Sequence, residues 1–214
     1  MILLSTLSVL AASPVIFITV DGVSRADVAD DQVFPLLKKV AGKQLRESET
    51  ATPALLSLPA YQSIFMGRLT DCAHNGCSAV TEPTWVDTVA SIVGKPHQNI
   101  GVFASWEKLD RAVSNEVSAF HSVIGPQAGD RHIAEWEGAR LDALTWADAM
   151  KFLKTERPRL LVISLNDADE WAHLGNRPRY LETLQRYDQE PCGQSTAANT
   201  RMQNQSGGGA EGCR

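Results

Sequence analysis

Three short segments of the sequence carry side chains that can ligate a cation or act as a nucleophile. The first is Asp21, which directly follows the apolar run VIFITV and precedes Gly22. Ligands of open α/β sheets bind at the carboxyl ends of the strands, and a glycine beside the carboxylate leaves room for a metal ion. Asp-Gly is also a common turn, so this segment alone is a weak signal.

The second segment, SLPAYQSIFMG, begins at Ser57. Ser57 is typical of a helix N-cap, and Pro59 suits the first turn, so the bland interpretation is an ordinary capped helix. The functional interpretation uses the same geometry, because positive potential at a helix N-terminus favours an alkoxide and an incoming phosphate. No histidine lies nearby in sequence, and coordination to a metal is one way to activate the hydroxyl.

The third segment, DEWAH, places Asp169 and His173 four residues apart just after the apolar run LLVISL. Residues at this spacing share one side of a helical turn, so both can reach one cation. Imidazole with a carboxylate suits zinc, and carboxylate-rich sites also accept manganese or magnesium. An isolated D-x-x-x-H pattern is more often a surface pair than a site.

Taken together and in this order, the three segments resemble the alkaline phosphatase superfamily. The closest resemblance is to the branch that contains nucleotide pyrophosphatases and phosphodiesterases. There the nucleophile segment has the form T-x-P-x-x-x-x-x-x-x-G, which SLPAYQSIFMG matches in length with Ser57 in place of threonine. The resemblance extends over roughly residues 15–188, which is nearly all of the part of the chain whose composition is typical of a folded domain.

The resemblance implies a metal-dependent phosphoric ester hydrolase with two divalent metal ions, zinc first and manganese or magnesium as alternatives. Asp21 and Ser57 would contact one metal, and Asp169 and His173 the other. Ser57 would attack phosphorus in line and form a phospho-enzyme that is then hydrolysed. The implied partner is a small-molecule phosphate ester.

The chain also departs from the family pattern. The family carries a D-H-G motif after a later strand and one more metal-binding histidine near its C-terminus, and neither follows His173. The remaining histidines precede it and match no family motif: His74, His97, His121 and His132. The resemblance therefore implies a truncated member with impaired metal binding and turnover. Asp167 and Glu170 flank the second site, either supporting it or merely solvated.

Other functions fit the same pattern less well. Sulfatases resemble this fold but use C/S-x-P-x-R, and Tyr61 occupies the arginine position here. A relative of cofactor-independent phosphoglycerate mutase or phosphopentomutase shares the metal-site pattern and stays open. A non-catalytic fragment or binding module on the same scaffold is the alternative from another class. The sequence contains no G-x-S-x-G elbow, so it does not indicate a triad hydrolase.

The elements that must position these residues alternate between strand and helix. Apolar runs predict strands at Val15–Val20, Asn99–Phe103 and Leu160–Leu165, the first of them buried on both faces. Helical spacing predicts helices at Gln32–Val40, Leu58–Gly67, Trp85–Val93, Asp142–Lys154 and Pro178–Asp188. This alternation predicts an α/β fold, a mostly parallel sheet with helices on both faces, which the resemblance makes alkaline phosphatase-like and incomplete at the C-terminus.

A parallel sheet brings the ends of distant strands to one edge. We therefore expect Asp21, Ser57, Asp169 and His173 to cluster there, within roughly 10 Å given metal–ligand and metal–metal distances.

Composition narrows the remaining possibilities. The chain has 214 residues, 43% of them hydrophobic, and it carries a net charge of −5. Its length and hydrophobic fraction are enough for one hydrophobic core in residues 14–188. The mild negative charge gives no reason to expect a nucleic-acid or anionic-membrane partner, and no apolar run is long enough for a membrane span.

Both ends of the chain differ from this domain. Residues 1–12 read as a signal peptide without its basic start, which predicts a periplasmic or secreted protein; otherwise they are a first buried element of a cytoplasmic one. A disulfide between Cys72 and Cys77 fits export. Residues 189–214 contain no aliphatic Leu, Ile or Val and no aromatic residue, which predicts a disordered or frameshifted tail.

Overall fold

A computed structural model describes residues 13–42, 56–131 and 133–189. Its centre is a four-stranded sheet in the order β1-β4-β2-β3, in which every pairing is parallel. The strands are β1 Val15–Val20, β2 Ile100–Ala104, β3 His121–Ile124 and β4 Leu160–Leu165. The predicted α/β class with a parallel sheet is thereby confirmed.

Eight helices accompany the strands within the described residues. They are α1 Arg25–Ala29, α2 Pro35–Ala41, α3 Ser57–Met66, α4 Trp85–Val93, α5 Pro96–Asn99, α6 Asp142–Glu156, α7 Asp167–His173 and α8 177–189. Two 3₁₀ turns, Glu107–Arg111 and Val117–Ala119, lie between β2 and β3.

Local sequence explains where several of these helices begin and end. At the start of α4, the Thr84 side chain and the Asp87 carboxylate form a capping box with each other's backbone N–H groups. Pro178 falls in the first turn of α8, where its missing N–H group costs nothing. Helix α6 ends at Glu156, and its C-cap residue Arg157 is left-handed (φ 52°) and precedes Pro158.

Helices cover both faces of the sheet, as predicted. On one face, Leu58 and Phe65 of α3 and Val86 of α4 pack against β2 and β4. On the other face, Phe152 of α6 and Leu184 of α8 pack against the same two strands. Strands β2 and β4 are buried at every residue because they occupy the centre of the sheet.

The edge strands differ from the sequence-based expectation. The apolar run of β1 predicts burial on both faces, but β1 lies at the edge of the sheet, and the side chain of Val15 is 63% exposed. Strand β3 was not predicted, because HSVI is only four residues long and two of them are polar. It lies at the opposite edge of the sheet. A continuous apolar run therefore did not distinguish an edge strand from a central one.

The loop Asp71–Cys77 contains the predicted disulfide. Cys72 and Cys77 are linked, with their Cα atoms 5.8 Å apart. The predicted signal segment, most of the predicted tail, Cys192, Cys213 and His132 lie outside the described residues. Among the helices that the structure describes, none has the length and apolar character needed to cross a membrane.

Candidate active site

The candidate site begins where β1 and β4 end side by side. The N–H of Asp21 donates to the carbonyl of Leu165 at 3.0 Å, which extends the β1–β4 pairing by one residue. Asp21 therefore stands at the carboxyl edge of the sheet, and the chain beyond Leu165 enters α7 with Asp169 and His173. This is the edge at which open parallel sheets bind their ligands.

Ser57 reaches the same place from helix α3. Its hydroxyl lies close enough to the carboxyl group of Asp21 to lower the pKa of that group. Leu56, not Ser57, occupies the N-cap position, so Ser57 is the first helical residue instead of the predicted cap. Because Ser57 does not cap the helix, its hydroxyl is available to interact with the Asp21 carboxyl group at the positive N-terminal end of the ten-residue helix α3.

Asn75 completes the start of α3 and was not found from the sequence. Its Oδ1 accepts the N–H of Leu58 at 3.0 Å and so satisfies a donor of the first helical turn. Asn75 belongs to the loop closed by the Cys72–Cys77 disulfide. This loop places Asn75 at the start of α3, next to Ser57. The amide nitrogen of Asn75 makes no hydrogen bond to any residue that the structure describes.

Gly22 brings β1 and α7 into direct contact. Its φ of +72° is favoured only by glycine, and a Cβ built on it would lie 2.5 Å from Asp169 Cα. The backbone of Asp169 therefore packs against the backbone beside Asp21. Asp169 in turn pairs with His173, with 3.3 Å between Oδ2 and Nε2, as expected for residues one helical turn apart. The structure thus brings all four predicted residues together.

The surroundings of the Asp21 and Asp169 carboxyl groups disfavour their charged forms. Burial, and secondarily the nearby charge of Asp169, raises the pKa of Asp21 to about 6. Burial likewise raises the pKa of Asp169, against the opposing effect of His173. Asp21 Oδ2 is buried without a hydrogen-bond partner among the described residues. A bound cation would offset both the desolvation and the repulsion between the two carboxylates.

The donors occur as two pairs, Asp21 with Ser57 and Asp169 with His173. In the described ranges, no three side chains of His, Cys, Asp or Glu are grouped so that they could hold a metal ion. The chemistry of each pair nevertheless fits a divalent cation, since carboxylate, hydroxyl and imidazole are ligands of zinc, manganese and magnesium. A divalent cation would interact most favourably with Asp21 Oδ2, because this oxygen is buried without a hydrogen-bond partner among the described residues.

The first turn of α7 is fixed by Asp142, a second residue that the sequence did not reveal. The Asp142 carboxylate accepts the N–H groups of Asn166 and Asp167, each at 2.8 Å. It also accepts hydrogen bonds from the hydroxyls of Ser105 and Tyr187. Asp167 returns the interaction by accepting the N–H of Asp142 at 2.9 Å, so the first turns of α6 and α7 cap each other.

The two acidic neighbours of the site have separate roles. Asp167 is buried and pairs with Arg186 at 2.7 Å, so it is not a solvated residue. Burial, together with Asp142, raises the pKa of Asp167. Glu170 is half-buried and accepts a hydrogen bond from the Asn166 side chain at 3.0 Å. Asp167 therefore supports α7 from behind, and Glu170 lies beside the candidate ligands.

Tyr61 lies one turn after Ser57 on α3. It is buried, and its hydroxyl accepts a hydrogen bond from Ser164 of β4 at 3.2 Å. Burial, and secondarily the charge of Asp21, raises the pKa of this phenol. The position therefore holds a neutral group anchored to the sheet, where a sulfatase motif would place an arginine.

We expect Gly22→Ala to destabilise the protein by about 2–4 kcal/mol, since it combines a left-handed φ with a clash against Asp169. Gly67→Ala is the matched control, because Gly67 has a φ of +68° but nothing within 4 Å of its added Cβ. The control should cost only about 1 kcal/mol. Urea unfolding followed by tryptophan fluorescence gives both values, and equal losses would show that the close approach to Asp169 is not tight.

The geometry does not by itself assign the chain to a family. No protein-family model matches the chain, and no curated protein matches it significantly.

Proposed function

We propose that this chain is a metal-dependent phosphoric ester hydrolase that uses Ser57 as its nucleophile. The observation that carries the proposal is the position of Ser57, which is the first residue of α3 and lies close enough to the Asp21 carboxyl group to lower its pKa. A hydroxyl near a carboxylate at a helix N-terminus is an arrangement that suits phosphoryl transfer. The resemblance to the alkaline phosphatase superfamily supports the same function.

Each residue has a role in this proposal. Asp21 accepts the proton of the Ser57 hydroxyl as the serine oxygen attacks phosphorus; the P–O bond to the ester alcohol breaks, and the departing alkoxide takes a proton from water. The positive end of α3 stabilises the charge that develops on the phosphoryl oxygens. Water then attacks the phosphoserine, which releases the phosphate product and returns Ser57 to its free hydroxyl form.

Asn75 is placed to contact the substrate. Because Leu58 N–H holds its Oδ1, the amide nitrogen is oriented by the same hydrogen bond and is available to donate. A phosphoryl oxygen at Ser57 is the acceptor that this donor would meet. The substrate class is therefore a phosphate ester small enough to enter the sheet edge with its phosphoryl group between Ser57 and Asn75.

The two donor pairs would hold the cations, Asp21 with Ser57 and Asp169 with His173. When bound, zinc, manganese or magnesium would supply Lewis-acid stabilisation of the phosphoryl oxygens. His173 is 76% exposed on its side chain, so it can rotate toward a ligand without unpacking the core.

We also propose that the protein is exported to the periplasm or secreted. The Cys72–Cys77 disulfide supports this location, because disulfides persist in oxidising compartments. The disulfide loop carries Asn75, so an oxidising environment also preserves the start of α3.

The test is hydrolysis of 4-nitrophenyl phosphate and of bis(4-nitrophenyl) phosphate by the full chain, with long incubations that detect slow turnover. We expect release of 4-nitrophenol that EDTA abolishes and that added zinc, manganese or magnesium restores. Faster hydrolysis of one ester decides between monoester and diester chemistry. Hydrolysis that EDTA leaves unchanged would contradict the metal dependence, and no hydrolysis with any of the three metals would favour a non-catalytic binding module.

A further inference from the structure

A polar cluster on the far side of Gly22 joins the loop after β1 to the start of α8. Its centre is Asp27 of α1, which is buried although it is charged. Arg177, the first residue of α8, donates both terminal nitrogens to the two Asp27 oxygens, one of them at 3.0 Å. Such a bidentate pair fixes distance and orientation together.

Tyr180 links the same cluster to the backbone of the β1 loop. Its hydroxyl accepts the N–H of Ser24 at 3.2 Å and lies 3.3 Å from the carbonyl oxygen of Gly22. The same hydroxyl lies 2.9 Å from Asp27 Oδ2. The guanidinium of Arg177 stacks over the Tyr180 ring, with 4.8 Å from Cζ to the ring centroid. We call Asp27, Arg177 and Tyr180 the clasp.

The clasp joins the two segments that carry the candidate ligands. Gly22 follows Asp21 directly, and Arg177 lies just beyond the turn that ends α7 after His173. The clasp residues also line a cavity of about 300 Å³ that extends to Gly22 and to Ala172, which precedes His173. The clasp and the candidate site are therefore neighbours on the same pair of segments.

Those two segments have an electrostatic reason to separate. Asp21 and Asp169 are both carboxylates, and the charge of Asp169 disfavours the charged form of Asp21. The backbone contact at Gly22 resists compression but supplies no attraction between the segments. The β1–β4 pairing holds the two segments together up to the hydrogen bond from Asp21 N–H to the carbonyl of Leu165. Beyond that bond the clasp adds attraction, because Arg177 at the start of α8 binds the buried Asp27 of α1.

We propose that Arg177 and Tyr180 are positioning residues that hold the Asp21 loop against α7, so that both donor pairs are in place before a cation binds. Neither residue touches substrate or cation; they act through Gly22 and Ser24 on one side and through the α7–α8 turn on the other. The part of this inference that concerns cation affinity rests on the proposed function, whereas the part that concerns the two segments does not.

Three variants test the proposal. Arg177→Met removes the guanidinium and keeps the length of the side chain, and Tyr180→Phe removes only the hydroxyl in case the first variant folds poorly. Arg179→Met is the matched control, because Arg179 lies on the same helix and pairs with exposed Glu182 at 3.1 Å, outside the clasp. All are compared as folded, metal-free full chains.

The first readout is amide hydrogen exchange, which needs no metal. We expect faster exchange in both residues 20–27 and residues 167–176 for Arg177→Met and Tyr180→Phe, and no change for Arg179→Met. The second readout is the Kd for Mn²⁺ by calorimetry, which should rise about 10-fold in the two clasp variants and less than about 2-fold in the control, as for residues that support metal ligands.

The outcomes separate this inference from the proposed function. Faster exchange confined to residues 20–27, with residues 167–176 unaffected, would overturn the clasp as a link between the segments. An unchanged Kd in clasp variants whose exchange accelerates in both segments would overturn its role in cation binding. A wild-type chain that binds no Mn²⁺ but shows coupled exchange would contradict the metal-dependent function and leave the structural link supported.

Discussion

Replacing Ser57 with alanine is expected to reduce metal-dependent hydrolysis of an aryl phosphate at least about 10³-fold, to the background of the buffer with metal alone. The reason is that Ser57 supplies the only atom proposed to bond to phosphorus, and its hydroxyl lies beside the carboxyl group of Asp21. The free energy of unfolding should change little, since Ser57 is not the N-cap of α3. The measurement is initial rate against metal-free and enzyme-free blanks.

Ser63→Ala is the matched control for this prediction. Ser63 lies on the same helix, is buried, and donates its hydroxyl to the carbonyl of Pro59 at 2.9 Å, away from Asp21. Its loss should leave the rate within about 2-fold of the wild type, as a helix-internal hydroxyl contributes little to catalysis. If Ser57→Ala retained the wild-type rate, a water nucleophile or another residue would have to replace Ser57 in the proposal.

The second large effect is expected from Asp142→Ala, which should destabilise the protein by about 3–5 kcal/mol. The truncation leaves the N–H groups of Asn166 and Asp167 and the hydroxyls of Ser105 and Tyr187 without their shared acceptor. A loss of this size is a large part of the stability of a typical domain. Urea unfolding followed by circular dichroism measures it.

A surface aspartate provides the comparison. Asp31→Ala removes an ion pair with Lys38 in which the Asp31 side chain is 88% exposed, so we expect almost no change in the free energy of unfolding. Because Asp142 also fixes the first turn of α7, its variants should lose hydrolysis together with stability. A stable, fully folded Asp142→Ala protein would show that the capping of α6 and α7 is not what holds this edge of the sheet.

The strands show how far sequence patterns determine the fold. Runs such as LLVISL contain no polar side chain that must reach water, so they predict a buried strand, and β4 is buried throughout. The same pattern in VIFITV does not reveal that β1 lies at the edge, because strand order depends on contacts between distant segments. Strand β3 was missed because four residues carry too little periodicity to detect.

The site shows a similar division. Asp21 follows a strand, Ser57 opens a helix, and His173 lies one helical turn after Asp169. Each of these local signals is weak alone, and their order along the chain together with the family resemblance singled the four residues out. Asn75 and Asp142 carry no such signal, since each acts on the first turn of a helix that is distant in sequence. Arg177 meets Asp27 across 150 residues, a contact that only the folded chain defines. Local patterns therefore found the candidate chemistry but not the residues that support it.

The pairing of β1 with β4 has a consequence for synthesis of the chain. Val15 pairs with Leu160, so β1 leaves the ribosome well before its partner strand β4. At about 5–20 residues per second, the run VIFITV waits on the order of ten seconds before that partner emerges. During this interval an uncharged, strongly β-forming hexapeptide is exposed to other nascent chains. We therefore expect the yield of folded protein to depend on chaperone capture of this segment during synthesis.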